Sequence, residues 1–501
     1  MTDGLPQPQA RSLKHLAAAL SPASTRIFGL DSTLVAHITE DSRRVQGSSL
    51  FVARAGEKVD GRRFIADAKR AGAAAILCEV GAGITAEPRL EVDDLRHAWG
   101  VCAQSLYGDP SREVGMIGIT GTNGKTTVAS LVAQALSFLG VSAGRLGTLG
   151  FFIDSSRLGD SLTTPQPDQL ALNLAQCRDR GARYLVAEVS SHALHQDRVA
   201  GVQFLAAALT NLTQDHLDYH QTMEAYGEAK ARLFRECNPR HRIINIDDPF
   251  GAHLSAEFKE CITVSARGNT QARFWVENCH FGHQGVEAQV VTPQGSYPFE
   301  SRLLGRHNLE NVMVALGLLC CLDVAPVQAL AALSGAQGVA GRMERCDESD
   351  DEVVVVVDYA HTPDALERAL SSLRDLDFVG VHCVFGCGGD RDKKKRAPMG
   401  EVATRLSERA YLTSDNPRTE DPLKILRDVE EGFGAGADTI VEVDRRRAIF
   451  EAVRAAPAGA VVLIAGKGHE DYQLIGKSIL PFDDRLVARE ALAARRAEER
   501  G

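Results

Sequence analysis

Long hydrophobic runs are missing from this sequence. The apolar stretch Leu16 to Leu20 is too brief for a secretory signal or a membrane span, and no later segment reaches the length a span needs, so membrane insertion is not expected and a cytoplasmic address is. Basic excess is missing too: 56 Lys and Arg stand against 66 Asp and Glu, a formal net charge of -10, which disfavours nucleic acid or an anionic membrane surface as partner. Any anionic ligand must be held by local basic groups. The 11 cysteines contain no C-x-x-C; apart from the adjacent Cys320 and Cys321 and the spaced pair Cys383 and Cys387 they are scattered, which points to reduced thiols, mostly small core residues. The pair His216 and His220 lacks the Glu of H-E-x-x-H and a third ligand, so a zinc site is disfavoured. Internal repeats and low-complexity tracts are absent.

What is present is an ordinary globular composition, 44% hydrophobic and 24% charged, over 501 residues, too long for one core. Residues 1–93 carry short strand-like runs (Val35 to Thr39, Ser49 to Val52, Ala74 to Leu77) between polar turns. Asp94 to Tyr107 has helical periodicity and ends at Gly108-Asp-Pro-Ser111. From Glu113 strands alternate with helical stretches: Gly115 to Ile119, the helix Thr127 to Gly140, then Tyr184 to Val189, Ala206 to Leu209 and Arg242 to Ile246. That alternation predicts a mostly parallel sheet. A third block opens after Gly341-Arg-Met-Glu344. Four β-rich runs, Asp351 to Asp358, His382 to Phe385, Ala410 to Thr413 and Ala460 to Ala465, each stop at polar or Gly-rich residues, and in an open α/β sheet those four loops line one crevice. The reading is an α/β chain of three domains, residues 1–93, 94–341 and 342–501, with a central P-loop-type parallel sheet and a C-terminal Rossmann-like domain.

Gly121-Thr-Asn-Gly-Lys-Thr-Thr127 follows an apolar strand and opens a helix, the order phosphate binding requires, although the first glycine of the usual G-x-x-x-x-G-K-[ST] spacing is replaced by Ile119. Backbone N–H groups and the helix N-terminus face the anion, Lys125 reaches the terminal phosphates, and Thr126 can offer its hydroxyl to Mg²⁺. Glu188, at the end of a strand and before Ser190-Ser-His192, is the best further oxygen ligand, and His216 beside Asp215 adds an imidazole. The bland alternative is a Gly-rich turn with an incidental Lys.

Seven motifs together resemble those of the Mur ligases, ATP-dependent enzymes that add amino acids to a cell-wall precursor. They are the phosphate loop, Thr163-Thr-Pro165, Glu188-Val-Ser-Ser-His192, Asn211 to Tyr219, Gly341-Arg-Met-Glu344, Asp358-Tyr-Ala-His-Thr-Pro363 and Asp415-Asn-Pro-Arg418. They span nearly the whole chain, and the loop matches the shorter G-x-x-G-K-T-T form that this family carries. The resemblance implies that the γ-phosphate of ATP activates a free carboxylate as an acyl phosphate, which an amine then attacks. It implies ATP contacts from Gly121, Thr122, Asn123, Gly124, Lys125, Thr126 and Thr127, with Asn308, Arg342, Asp358 and His361 reaching the nucleotide as well. Thr126, Glu188 and His216 would serve Mg²⁺, and Lys125 and His216 join Lys230 as catalytic residues. Lys230 taken alone reads as the solvated face of an amphipathic helix; the family's matching Lys is carbamylated and helps position Mg²⁺.

By the same resemblance the UDP-sugar-peptide substrate is held by Ser42, the turn Glu57-Lys58-Val59, and Thr163, Thr164, Ser190, Gln196 and Arg198; alone, Asp41-Ser-Arg-Arg44 reads as a polar turn. The amine substrate falls to Arg391, Asp415, Asn416, Pro417, Arg418, Gly466 and Glu470. Meso-diaminopimelate differs from L-lysine by a carboxylate at the far end, so a selective pocket wants a guanidinium for that group and an acid for the ammonium, roles that Arg418 and Asp415 fill. Addition of meso-diaminopimelate to UDP-N-acetylmuramoyl-L-alanyl-D-glutamate is therefore expected, by a monomer. The alternatives are the same reaction with L-lysine, folylpolyglutamate synthesis, and a catalytically silent nucleotide-binding protein. Lys394 and Ala397 depart from the Gly and Pro usual in relatives, and without the family Lys393 to Arg396 reads as a solvated charge run. Because nucleotide and amine sites fall on different domains, a hinge near Gly341 is expected.

Overall fold

The computed structural model describes residues 5–20, 25–56, 59–282 and 284–499. They divide into two units, residues 1–275 with 311–333, and residues 276–310 with 334–501. Among the described residues no helix is long and apolar enough to cross a membrane.

The first unit begins with a five-stranded sheet in the order Thr25–Phe28, Arg89–Val92, Ala73–Glu79, Ser49–Val52, His37–Thr39, parallel except at the Thr25–Phe28 edge. Alternation sorts its side chains. Leu50, Val52, Ala75 and Leu77 face a core completed by Leu13, Leu16, Leu95, Trp99 and Leu106, while Phe51, Ile76 and Cys78 pack on the opposite face with Ala68. The helix read over Asp94 to Tyr107 runs Leu95–Leu106, with the Asp94 side chain accepting from the His97 N–H as its cap.

Six parallel strands follow in the order Ala143–Gly147, Tyr184–Glu188, Gly115–Thr120, Phe204–Leu209, His241–Asn245, Ile262–Ser265. The phosphate-loop strand thus lies in mid-sheet, buried on both faces, and the residues leaving its carboxyl end have neighbours on either side. The antiparallel strands Gly150–Ile153 and Ser156–Gly159, which sequence reading missed, extend the edge beyond Ala143–Gly147.

In the second unit the four β-rich runs become Val354–Asp358, Val381–Phe385, Arg409–Leu412 and Val461–Ala465. The sheet order is Glu344–Arg345, Val354–Asp358, Val461–Ala465, Val381–Phe385, Arg409–Leu412, Thr439–Val441, parallel except for the first pair. Both faces are covered, one by Leu366, Leu370, Met399 and Leu426, the other by Ile449, Val453, Val487 and Leu492. That double coverage is why the strands read as continuous β-branched runs. The four loops leaving their carboxyl ends meet one another, as the sequence predicts. Six of the eleven cysteines are buried and all are free thiols. Gly341 (φ +66°) is packed against the Gly468 turn: a Cβ there would stand 2.1 Å from the Gly468 carbonyl carbon.

Candidate active site

The turn after Gly115–Thr120 is built by two glycines that no other residue could replace. Gly121 has φ +145°, and a Cβ on it would lie 1.8 Å from Thr210 Oγ1; Gly124 has φ +85° and would drive a Cβ to 2.2 Å from Asn311 Oδ1. The loop is fastened to the neighbouring strand end by polar contacts. Thr210 Oγ1 donates to the Asn123 carbonyl (2.6 Å), the Asn123 N–H donates to Asn211 Oδ1 (2.9 Å), and Thr122 Oγ1 donates to the Thr213 carbonyl (3.0 Å) while accepting from the Thr213 N–H (2.9 Å). The helix Lys125–Phe138 starts at once, its N-terminus pointing out of the turn. Lys125 Nζ curls over the loop onto the carbonyls of Gly121 (2.9 Å) and Thr122 (2.8 Å). A helix N-terminus opening from a glycine turn, with an ammonium beside it, is an anion site.

Thr126, one residue into that helix, donates its hydroxyl to Glu188 Oε2 at 2.9 Å. Glu188 is buried at the end of the adjacent strand, and its Oε1 accepts from the Thr148 N–H at 2.9 Å. Gly147 makes room for it, since a Cβ there would fall 2.0 Å from Oε1. Among the described residues no cluster of three His, Cys, Asp or Glu side chains could hold a metal. One buried carboxylate beside one hydroxyl at the mouth of a phosphate loop nonetheless fits Mg²⁺, which keeps most of its ligands as phosphate oxygens and water.

Lys230 corrects the reading of it as a solvated lysine: it is 1% exposed. Its helix Met223–Arg235 turns that face inward, and Nζ donates to the Gly121 carbonyl (2.8 Å) while lying 4.3 Å from the centroid of the Tyr226 ring. Burial, and then the charge of Lys125, hold its pKa well below the ordinary lysine value, with Asp215 opposing. A buried lysine of this kind is a nucleophilic amine rather than a surface cation. Tyr226 bridges outward, donating its hydroxyl to Thr122 Oγ1 at 3.2 Å. His216, in left-handed backbone (φ +52°), pairs with Asp215 at 3.6 Å and stands edge-on to His192, ring centroids 4.9 Å apart. The structure therefore brings Thr126 to Glu188, and Lys125 and Lys230 to one carbonyl, while His216 joins a histidine–tyrosine group with His192, Tyr219 and Tyr226.

Of the residues expected to hold the sugar peptide, Thr163, Thr164, Ser190, Gln196 and Arg198 gather beside Glu188. Thr164 Oγ1 donates to the Glu188 carbonyl (2.9 Å) and accepts from the Ser190 N–H (3.0 Å); Thr163 Oγ1 lies 3.2 Å from Thr148 Oγ1. Arg198 holds the carbonyl of Thr164 (2.9 Å) and the side-chain oxygen of Gln196 (2.7 Å), and burial draws its pKa down. Ser42 sits in a short turn, Ser42–Arg44, capped by Asp41, and Val59 is exposed on a turn closed by the Gly56 N–H. Glu57 and Lys58 lie outside the described residues.

In the second unit Asn308 is buried and donates to the Leu304 carbonyl at 2.9 Å. Asp358 accepts from the N–H groups of Met343 and Ala360, both at 2.8 Å, and burial raises its pKa. The Arg342 guanidinium lies 4.9 Å from the Tyr359 ring centroid, and His361 Nδ1 lies 2.8 Å from the Tyr359 carbonyl. Across the strand ends, Arg418, also in left-handed backbone (φ +51°), extends its Nη1 to the Gly389 carbonyl at 2.8 Å, passing where a Cβ on Gly388 would stand 2.9 Å away. Arg391 is exposed, with its stem beside the same glycine. Asp415 is buried, and Gly466 (φ +120°) lets its Oδ2 approach to 2.7 Å of where a Cβ would be. Asn416 Nδ2 donates to Glu470 Oε2 at 2.8 Å, and the Pro417 carbonyl packs against Gly389. A guanidinium and two carboxylates thus come together at one end of the sheet.

The charge run Lys393 to Arg396 is not all solvated. Lys393–Lys395 form a short turn capped by Asp392, but Arg396 is 1% exposed, bonded to Glu420 (2.9 Å) and Asp428 (2.7 Å). Lys394 sits in that exposed turn, and the Ala397 carbonyl packs against Gly432 at the start of the following helix, Arg396–Leu406. Residues that the sequence did not single out include Thr148, Thr210, Tyr226 and Lys467. Each is a polar side chain inside an otherwise apolar or motif-flanking run, and only the fold shows what it meets.

A glycine-shaped anion loop on a mid-sheet strand, an acid beside its threonine, and a cluster of one guanidinium and two carboxylates at the strand ends of the second unit are the parts an ATP-dependent ligase requires. The Mur ligase family catalytic domain matches residues 34–107, the Mur ligase middle domain residues 119–319, and the glutamate ligase domain of the Mur ligases residues 341–468. The chain belongs to the Mur ligase family, enzymes that form amide bonds. It is 44% identical over 474 residues, 92% of this chain and 95% of the relative, to a UDP-N-acetylmuramoyl-L-alanyl-D-glutamate–2,6-diaminopimelate ligase of Pseudomonas putida. A solved structure of a ligase with that description is 33% identical, with a TM-score of 0.76 covering 97% of this chain and 100% of that one. A folylpolyglutamate synthase of Mycobacterium tuberculosis solved with ADP is 19% identical, with a TM-score of 0.56 covering 80% of this chain and 93% of that one, a likeness of fold alone.

Proposed function

We propose that this ligase adds meso-diaminopimelate to UDP-N-acetylmuramoyl-L-alanyl-D-glutamate at the expense of ATP, acting as a cytoplasmic monomer. The observation that carries the choice of amine is Arg418 held over the Gly389 carbonyl, near buried Asp415 and half-buried Glu470. A free amino acid with a carboxylate and an ammonium at its far end satisfies both charges. L-lysine leaves the guanidinium without a carboxylate, and a site of this type rejects such an analogue by ~10⁴-fold.

The reaction divides along the chain, with residues 1–93 recognising the UDP end, 94–341 the ATP and the reacting carboxylate, and 342–501 the amine. An oxygen of the glutamyl carboxylate attacks the γ-phosphorus and the bond to the leaving ADP breaks, giving an acyl phosphate. The amine nitrogen then attacks the acyl carbon, inorganic phosphate leaves, and the nitrogen gives up a proton. Bringing one anion to another requires cancelling charge. Lys125 does this from the loop, whose N–H groups hold the phosphates in line. Thr126, Glu188 and His216 would hold Mg²⁺, which would supply further charge neutralisation. Lys230, whose burial disfavours the ammonium form, takes up CO₂: its nitrogen forms the new C–N bond, loses a proton and becomes a carbamate, an anion that would help position Mg²⁺. Asn308, Arg342, Asp358 and His361 complete the nucleotide contacts.

The test is ATP-dependent phosphate release with the UDP-linked dipeptide and each of diaminopimelate, lysine and glutamate in turn. Release dependent on diaminopimelate is expected. Equal or greater stimulation by lysine would remove the specificity claim, and turnover only with reduced folate and glutamate would replace the reading altogether.

A further inference from the structure

Behind the amino-acid pocket lies a lysine that the reaction scheme leaves unused. Lys467 follows Gly466 at the end of the strand Val461–Ala465 and is 0% exposed, an environment in which an ammonium persists only when its charge is answered. It is answered on several sides. Nζ donates to Asn416 Oδ1 (3.0 Å) and to the Tyr472 carbonyl (2.7 Å), and stands 3.7 Å from both Asp415 Oδ1 and Glu470 Oε2. Asn416 turns its other end to Glu470, so one amide is pinned between the cation and one of the acids.

The strand that carries Lys467 is braced by a second buried pair. Arg445 and Asp484, both 0% exposed at the side chain, are joined by two bonds of 2.8 and 2.7 Å, and the same guanidinium donates to the Ala465 carbonyl at 3.0 Å. The charged groups facing Lys467 are therefore Asp415 from one loop, Glu470 from its own, and Arg445 and Asp484 from the helices behind. With Arg418 left to the substrate's far carboxylate, two cations, Arg445 and Lys467, stand with three carboxylates, Asp415, Glu470 and Asp484. That group is short of one positive charge, which is what the ammonium of a bound diamino acid brings.

We infer that Lys467 is a positioning residue for the incoming amino acid: it fixes Asn416 and stands between Asp415 and Glu470, so that the substrate's ammonium enters a preformed site. This rests on the reading of the pocket as the amine site. It also assigns Arg445 and Asp484 the task of holding the Gly466-Lys467 turn against the strand end.

The experiment is steady-state kinetics on the full chain carrying Lys467→Met, with a thermal melt as the check on folding. KM for diaminopimelate is expected to rise about 10- to 100-fold, the loss of one charge-assisted bond, with KM for ATP and for the UDP-linked dipeptide within about twofold of the parent. Lys467→Arg, which restores the charge, is expected to recover part of the loss. A folded Lys467→Met enzyme with unchanged KM for diaminopimelate, or with all three KM values raised together, overturns the inference. If the parent prefers another amine, the reading of the substrate fails, and the same comparison made with that amine still decides the role of Lys467.

Discussion

The Thr126 hydroxyl donates to the Glu188 carboxylate at 2.9 Å, tying the first turn of the phosphate-loop helix to the end of the neighbouring strand. The bond occupies one carboxylate oxygen, while the Thr148 N–H orients the other. Glu188→Gln keeps the shape and most of the hydrogen bonds but removes the charge that a divalent cation requires. Its turnover is expected to fall by about 10²-fold or more, with the dependence on Mg²⁺ concentration shifted upward and the melting temperature little changed. A variant that turns over like the parent at low Mg²⁺ would place the cation elsewhere.

Gly121→Ala tests whether the loop's path is a requirement. The position combines φ +145° with a Cβ only 1.8 Å from Thr210 Oγ1, so a methyl group there forces the loop off the strand end that anchors it. A stability loss of about 1–3 kcal/mol is expected together with loss of ADP binding by calorimetry. Gly140→Ala is the control: it shares the left-handed backbone (φ +74°) but has nothing within 4 Å, and should keep ADP binding intact.

For Lys230 the expected signature is dependence on dissolved CO₂. Enzyme degassed and assayed without bicarbonate should be less active and recover on its addition, and ¹³C-labelled bicarbonate should give a carbamate resonance that Lys230→Ala lacks. The depressed pKa sets the direction with pH, because the neutral amine is the reacting form and the ammonium is not, so uptake should remain effective at neutral pH, where an ordinary lysine is almost wholly charged. Activity indifferent to bicarbonate, with no such resonance, would be falsifying.

Much of this was legible in the sequence because local chemistry and tertiary context agree there. Val354–Asp358 and its parallel neighbours announce themselves by β-branched runs, and the loop glycines by their spacing. The illegible parts are those where burial overrides residue type. Lys230, Arg396 and Lys467 are charged side chains that any composition-based reading sends to solvent, yet each is enclosed by partners 24 or more residues away in sequence or supplied by backbone carbonyls. The strands Gly150–Ile153 and Ser156–Gly159 were missed because both are only four residues long and neither carries a clear two-residue alternation, the first being largely buried and the second largely exposed.

Arg396 offers a pH-dependent prediction. Its guanidinium, with the Asp390 N–H, holds the Glu420 carboxyl at about 2, below the ordinary glutamate value. A depressed pKa in the folded state means that the pair's contribution is complete above the unfolded glutamate value and is lost as pH falls through the folded one. The parent's stability to urea should therefore drop as pH is lowered from about 5 toward 2, and Arg396→Met should drop less steeply across that interval because its Glu420 has little depression left to lose. At neutral pH the variant should be less stable by about 3 kcal/mol, since it leaves Glu420 and Asp428 facing a thioether.

The final prediction concerns Arg418, because its side chain decides which amine is joined. Arg418→Met removes the only group proposed to read the far carboxylate while leaving Asp415 and Glu470 to hold an ammonium. The value of kcat/KM for diaminopimelate should fall by about 10³-fold or more, that for L-lysine should hold or rise, and the preference between them should narrow or invert. Arg418→Lys keeps the charge but not the planar fork, so it should lie between the two. The left-handed backbone at this position is common to all three proteins, so differences among them report on the side chain. A preference for diaminopimelate that survives Arg418→Met would mean that Arg391, the other guanidinium beside Gly388, reads the carboxylate instead.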